Sequence, residues 1–437
     1  MRASRSLVGC ALALILPAAA WADDSNFRPY IVGSRAAGMG GAFTALADDG
    51  SGPWYNPGGL AFVRRSQVSL SGSVYGVVSG SNADALGDGH DYTFRDLNIF
   101  PVATSVVWKF GENDKPEGDG SALAISVFVP DAFRTNDRDR LGSAENAFFV
   151  SQENQTIWTG LTWAHRWGRL GIGASGYGLF GTSLTQLELT AINPNDSSDF
   201  VTITSRADEA TYGFVASLGL RWDVSDSVSL GLSAFSPEWG WGDRRSFVRV
   251  AVGDNVTGPG APSTVAVVNA EDLHATPALP ARVQAGIAWA SDRLALTADV
   301  IWLAGREVRD DEDRAAEGLD RVIKRNPVFN AALGMEYRAS DSIRLRAGFF
   351  TDFAATDEPV RTATGTSPVN NTGHVDRYGG TLSGGFRTEH TSTDVGINLS
   401  YGTGTDLVPN NLDFTDLKPT EAKQLLLYVF LASAYEF

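Results

Sequence analysis

Hydrophobic and polar residues alternate along most of the chain beyond residue 65, with a period of two positions. Stretches 214–222, 283–289 and 343–349 carry an apolar residue at every second position. This alternation predicts an all-β protein whose strands have one apolar and one polar face. The predicted strands span residues 66–78, 98–110, 121–134, 155–167, 169–188, 210–223, 226–238, 280–290, 292–304, 328–338, 341–353, 376–388, 391–403 and 424–437.

The connections between these strands alternate between short and long. Short turns, such as those at 167–169, 223–226 and 338–341, join every second pair, and only the one at 111–120 is longer. The remaining connections, at 79–97, 135–154, 189–209, 239–279, 305–327, 354–375 and 404–423, run about 15 residues or more. Short turns at one end and long loops at the other are typical of bacterial outer-membrane barrels. We therefore predict a transmembrane antiparallel β-barrel of about 14 strands over residues 66–437.

Aromatic residues cluster near the short-turn ends of the predicted strands. In a barrel such residues form a girdle at the level of the lipid headgroups. The chain ends on an alternating strand with Phe437, and this end resembles the recognition signal of outer-membrane barrel assembly. The barrel-assembly machinery is therefore an expected partner during biogenesis. The predicted girdle consists of Trp108, Phe110, Trp167, Trp222, Trp289, Tyr337 and Phe386.

Composition narrows the possible functions. The formal charge of −16 argues against nucleic acid as a partner, because phosphates would be repelled. One cysteine and five histidines, scattered along the chain, provide no metal-ligand spacing, and no Gly-x-Ser-x-Gly elbow is present. The acidic run in loop 305–327 lacks the ordered spacing of a calcium loop. We expect no cofactor, no metal and no enzymatic activity.

The N-terminus has the pattern of a bacterial secretory signal peptide. Two arginines precede an apolar core at 7–20, and Ala20-Trp21-Ala22 is a cleavage site of the small-x-small type. Residues 1–22 are therefore predicted to be removed, together with Cys10. Export followed by barrel insertion places the protein in the outer membrane of a Gram-negative bacterium, in contact with its lipid and lipopolysaccharide.

Residues 23–65 break the strand pattern. They are rich in glycine and contain Pro53 and Pro57, so we predict a compact segment that plugs the barrel lumen. The stretches Gly33–Phe43, Ala45–Asp49 and Tyr55–Leu60 resemble the N-terminal hatch of the FadL/TodX family, outer-membrane transporters of long-chain fatty acids and aromatic hydrocarbons. That hatch carries an Asn-Pro-Ala motif. Gly58 replaces its alanine here, which puts the rigidity of the hatch in question.

The resemblance implies a monomeric channel for passive uptake of hydrophobic small molecules. Its hatch would gate the lumen, and substrate would leave sideways through the wall. The candidate gating residues are Asn56, Pro57, Gly58, Asp48 and Asp49, although the two aspartates could equally cap a turn. Glycine-rich barrels of similar appearance also serve in protein secretion or surface attachment, so a scaffold is the alternative function.

Two interpretations stay open for Pro130. Proline lacks an N–H group, so it could break a strand ladder and mark a lateral opening. It could instead only end a strand at the barrel rim.

The predicted lumen face of the later strands supplies candidate substrate contacts. Arg344 and Arg346 point the same way as Phe350, and either arginine could hold a carboxylate. Pairing with Asp48 or Asp49 of the hatch is the favoured alternative. In the last strand Tyr428 and Phe430 make the inner face apolar, which suits either a hydrophobic ligand or contact with the hatch.

Overall fold

The computed structural model describes residues 26–27, 30–84, 91–111, 118–140, 147–193, 196–253, 264–317, 319–360, 373–410 and 413–437. The predicted signal peptide, residues 1–22, lies outside the described residues. Within these described ranges no helix has the length and apolar character needed to span a membrane. The described residues form 18 strands. They are β1 (Gln67–Asn82), β2 (Tyr92–Gly111), β3 (Gly120–Arg140), β4 (Ala147–Trp167), β5 (Leu170–Asn193), β6 (Asp196–Asp223), β7 (Val228–Phe235), β8 (Trp239–Gly253), β9 (Thr264–Leu273), β10 (Arg282–Ala290), β11 (Leu294–Leu303), β12 (Arg306–Asp310), β13 (Arg321–Arg325), β14 (Val328–Arg338), β15 (Ile343–Asp352), β16 (Gly373–Arg387), β17 (Thr391–Asn410) and β18 (Asp413–Glu436).

Fourteen of these strands close into an antiparallel barrel. Neighbours in sequence are neighbours in the wall, and β18 pairs back to β1 from Glu436 opposite Gln67 onward. Closure joins the two ends of the sheet, so that each wall strand is paired along part or all of its length on both sides, as a sheet in lipid requires. The 14 strands predicted from the period-two pattern correspond one to one with the barrel strands, so the predicted fold is confirmed.

The remaining four strands occupy connections that the sequence pattern left as loops. β8 and β9 fill part of 239–279, and β12 and β13 form a hairpin within 305–327. β6 extends well beyond the end of β7, and β8 pairs with its residues 201–214. A strand of that length needs a partner for its backbone groups, and the loop supplies one.

Several other predicted loops are also wrong. β5 runs to Asn193 and β6 begins at Asp196, so the ladder takes up most of 189–209. Connections 135–154 and 404–423 are likewise mostly strand. Strands of mostly polar residues pair above the membrane as well as strands with an apolar face pair within it. A prediction that requires an apolar face misses them.

The outer surface of the barrel is apolar. Leu70, Leu161 and Leu218 are at least 60% exposed, although each lies within a paired wall strand. A surface of this kind is stable only against lipid. Six residues of the predicted girdle are exposed at the short-turn ends of their strands, and Trp108 is half-exposed.

Residues 30–65, here called the interior segment, precede β1 and are mostly buried. They form α1 (Ser34–Gly38), α2 (Gly52–Tyr55) and a 3-10 helix (Pro57–Phe62). A backbone N–H of this segment, that of Gly40, donates to Thr381 on β16, and Gly58 packs against β5. These two strands lie opposite each other in the closed ladder, so the segment fills the lumen between them.

Candidate functional site

Asn56 ties the interior segment to the wall. Its side-chain amide donates to the carbonyl oxygens of Thr44 (2.8 Å) and Leu220 (2.9 Å), and its Oδ1 accepts the N–H of Gly58 (3.0 Å). The residue is completely buried. The amide therefore closes a turn within the segment and fastens that turn to β6.

We expect Asn56→Ala to destabilise the seating of the segment by about 1–3 kcal/mol, because three backbone groups lose their partner. Hydrogen exchange of amides in residues 30–65 measures this local opening. The matched control is Asn269→Ala, at an exposed position of β9. Equal protection in Asn56→Ala and in the control would contradict the role given to Asn56.

Glycines of the wall make room for Pro57 and Gly58. A Cβ atom at Gly58 would lie 2.7 Å from the carbonyl oxygen of Gly219 on β6, and one at Gly173 on β5 would overlap the carbonyl of Pro57. Glycine at position 58 thus allows the backbone of the interior segment to lie directly against the backbone of β6. The concern that Gly58 loosens the segment is not supported, because the wall itself restricts this position.

The two aspartates of the interior segment have different partners. Asp48 pairs with Arg35 at 2.7 Å and lies 3.8 Å from Arg221 on β6. Burial would raise the pKa of Asp48, but the guanidinium groups of Arg35 and Arg221 outweigh it and hold that pKa below its ordinary value. Asp49 accepts the backbone N–H of Ser51 at 2.8 Å and its hydroxyl at 2.6 Å, which is the turn cap considered from the sequence. Burial raises the pKa of Asp49.

Arg346 points into the lumen as predicted, but its expected partners are wrong. It binds Glu336 on β14 and Asp394 on β17, each at 2.6 Å, and not Asp48 or Asp49. Glu336 is directly opposite Arg346 in the ladder, so the wall neutralises its own arginine. The interior segment joins this cluster through Arg35, which lies 3.0 Å from Glu336.

Arg344 lies one pair of residues nearer the short turns. Its guanidinium donates to the carbonyl oxygens of Ser340 (2.7 Å) and Asp341 (3.4 Å). Both arginines line a polar cavity of about 210 Å³ that also includes Asp48 and Arg65. This cavity opens toward the short-turn end of the barrel.

The three aromatic candidates contact the interior segment. The rings of Tyr428 and Tyr30 meet edge to face at 4.8 Å. Phe350 and Phe430 are buried in one cluster with Met39 and Phe43. Of the two interpretations of the apolar inner face, these contacts match packing against the interior segment.

A second cavity, of about 280 Å³, lies on the long-loop side of the interior segment. Its apolar lining comes from the segment and from distant strands, with Trp54 packed edge to face on Trp158 at 5.0 Å. Arg282 of β10 stacks on Phe235 at 3.9 Å and donates to the Trp54 carbonyl. Sequence reasoning missed this site, since its residues are far apart in the chain. Its main side chains are Trp54, Trp158, Leu179, Phe235, Glu238 and Arg282.

Pro130 lies at an irregular place in the wall, beside this second cavity. The β3–β4 register shifts between Phe128 and Asp131. Within the described residues the β2–β3 ladder runs only from 103–111 to 120–128. Beyond it β2 pairs with β1 alone and β3 with β4 alone. We call this unpaired junction the β2–β3 seam.

The fold and the site define a class: a closed 14-stranded barrel whose lumen is filled by an N-terminal segment and holds an apolar cavity beside a seam in the wall. No family model matches the chain. No curated protein matches it either.

Solved structures do match. A FadL homologue from Pseudomonas aeruginosa has a TM-score of 0.63 at 16% identity, over 94% of this chain and 100% of that one. The Pseudomonas putida toluene transporter TodX has a TM-score of 0.60 at 13% identity, over 93% and 98%. The Ralstonia pickettii toluene transporter TbuX has a TM-score of 0.54 at 12% identity, over 93% and 98%. The chain thus has the fold of the FadL and TodX channels, and the resemblance seen in its sequence is confirmed at the level of the fold.

Proposed function

We propose that this chain is a channel for the passive uptake of hydrophobic small molecules across an outer membrane. The observation that carries the proposal is the cavity beside Trp54 and Trp158, which is lined by aromatic and aliphatic side chains together with polar ones and lies next to the seam. Transfer of an apolar molecule from water to the aromatic and aliphatic part of such a lining lowers its free energy. Two neighbours of the same fold are named toluene transporters, which agrees with the proposal.

Residues 23–65 act in this proposal as the hatch. The continuous described part of this segment, residues 30–65, lies between the apolar cavity and the polar cavity at the other end, so a molecule crossing the lumen would have to displace it. Arg35, Asp48 and Glu336 form the charged contacts that hold the hatch to the wall. Gating is then a conformational change that rearranges the contacts of Asn56, Pro57 and Gly58 with the wall.

The β2–β3 seam is the proposed lateral exit. An apolar substrate that leaves through the wall enters lipid directly and avoids rehydration. The β2–β3 ladder ends at Phe128, and the β3–β4 register shifts just beyond it around Pro130, which has no N–H to donate to a neighbouring strand. The neighbouring cavity includes Pro130 and Asp131 in its lining, so the path from cavity to seam is short.

The setting of the proposal is the outer membrane of a Gram-negative bacterium. Residues 1–22 would direct export and be removed, and the terminal strand ending in Phe437 would engage the barrel-assembly machinery. Lipid and lipopolysaccharide would contact the apolar outer face. One chain closes the barrel alone, so we propose a monomer that transports without catalysis.

Uptake measurements in cells test this function. Cells that carry the protein should accumulate labelled toluene or a labelled long-chain fatty acid faster than cells that lack it. A matched strain expressing the Asn269→Ala variant should equal the wild type. Unchanged accumulation of both compounds, with the protein inserted in the membrane, would reject transport and leave the scaffold alternative.

A further inference from the structure

Glu238 is an acidic side chain in the wall of the apolar cavity. It lies in the connection between β7 and β8, and only 8% of the residue is exposed. Its carboxyl group rests against Gly213 on β6, where the absence of a side chain makes room for it. Its backbone N–H donates to Leu279 at 3.1 Å, which holds the residue in place.

The carboxyl oxygens of Glu238 receive no hydrogen bond from any described residue. The charge of Arg306 acts on this carboxyl group, but its guanidinium donates to the backbone carbonyls of Glu238 (2.9 Å) and Leu279 (2.6 Å). Burial raises the pKa of Glu238 to about 7, against the opposing effect of Arg306. A buried carboxyl group without a donor is costly unless a ligand supplies one.

The arginines of the same cavity are already engaged. Arg321 lies 3.0 Å from Asp310 and 3.5 Å from Glu209. Arg282 stacks on two aromatic rings, and Arg325 lies over the ring of Phe27. A carboxylate ligand placed beside Glu238 would therefore meet a like charge, which disfavours its binding at this position.

We propose that this cavity binds apolar molecules whose head group donates a hydrogen bond to Glu238, either a hydroxyl or an amine, in preference to carboxylates. The apolar body would lie against Trp54, Trp158 and Phe235. The inference rests on the proposed function and adds the class of substrate. Burial of the acceptor makes the hydrogen bond strong and makes the head group the selective part of the ligand.

Four ligands that share one ring and differ in the head group test the proposal. They are p-xylene, p-cresol, 4-methylbenzylamine and 4-methylbenzoate, titrated calorimetrically into the purified full-length protein in detergent, with empty micelles as the blank. We expect at least one of p-cresol and 4-methylbenzylamine to bind about tenfold more tightly than p-xylene, and 4-methylbenzoate to bind most weakly. Which of the two donors binds better distinguishes a hydroxyl from an amine substrate.

Variants of Glu238 assign the preference to this side chain. Glu238→Leu should bring the donor ligands to within about twofold of p-xylene, because the acceptor is gone. Glu238→Gln keeps an acceptor of the same shape, so it should retain p-cresol binding and lose the preference for the amine. Glu238→Ala, which also removes the acceptor, serves as the test if the leucine variant does not fold. Glu271→Gln, at an exposed position of β9, is the control.

The possible results distinguish a failure of this inference from a failure of the proposed channel function. If p-xylene binds and the head-group order is unchanged in Glu238→Leu and Glu238→Gln, the inference is overturned and the channel proposal stands. Tightest binding of 4-methylbenzoate to the wild type overturns it as well. If none of the four ligands binds the wild type, both the inference and the hydrophobic site fail.

Discussion

Replacing Gly348 by valine is expected to unseat the interior segment and open the lumen to ions. A Cβ atom at Gly348, on the inner face of β15, would overlap the backbone nitrogen of Gly40. Gly40 cannot retreat by changing a rotamer, because it is held at a φ of +65° and its own missing Cβ would meet the backbone of Phe349 at 2.9 Å. Valine at position 348 would therefore push the backbone of Gly40 away from the backbone of β15.

Single-channel conductance in a planar bilayer measures the result. A barrel of this size is too wide for its own side chains to fill, so an emptied lumen should conduct on the order of ten times more current than the filled one. Deleting residues 30–65 should give the same open state. We expect a large effect because both sides of the contact between Gly348 and Gly40 are backbone, which cannot move aside as a flexible side chain can.

The matched control is Gly384→Val on β16. A Cβ atom there would find no heavy atom within 4 Å, so the same change in volume should leave conductance as in the wild type. If the Gly348 and Gly384 variants conduct alike, and the N-terminal segment stays resistant to protease in both, the segment does not occlude the lumen in the way the contacts imply.

The wall of the barrel was predictable because lipid imposes a rule on every strand. Leu218, Leu220 and Trp222 must face outward if β6 crosses the membrane, and they do. The intervening positions face the lumen and include Gly219, on which the segment rests. A period of two thus determines the face of each residue without any knowledge of its neighbours.

The partners of lumen residues were not predictable in this way. Arg346 was expected to bind the hatch, but its carboxylates come from β14, which is directly opposite in register, and from β17, which lies two strands away. Glu336 carried a signal that was available: it lies an even number of positions from the lumen-facing Ala332 and therefore shares its face. Only the strand register shows that Glu336, which lies on this shared face, is directly opposite Arg346.

The apolar cavity shows a different limit. Trp54, Trp158 and Glu238 come from the interior segment, a wall strand and a connection, and no spacing along the chain links them. Their meeting depends on closure of the whole barrel around the segment. Only the three-dimensional fold reveals an acid in this lining that receives no hydrogen bond from the described residues.

Locking the β2–β3 seam with a disulfide is expected to stop transport while leaving the barrel folded. The side chains of Asp96 on β2 and Thr135 on β3 are hydrogen-bonded across the seam, and Asp96 also accepts the backbone N–H of Asn136 at 3.2 Å. Cysteines at 96 and 135 are therefore well placed to bond. The chain's one cysteine, Cys10, lies in the predicted signal peptide, so no other thiol would compete.

Oxidation of the Asp96→Cys/Thr135→Cys pair should reduce toluene uptake to the level of cells without the protein, and reduction should restore it. The control is Thr162→Cys/Ser175→Cys, where the two hydroxyl groups are 2.8 Å apart across the continuous β4–β5 ladder. A disulfide there joins strands that are already paired and should change nothing. If the oxidised seam variant transports like its reduced form, substrate does not leave between β2 and β3. The path must then pass the interior segment, where Arg35 and Glu336 close the lumen.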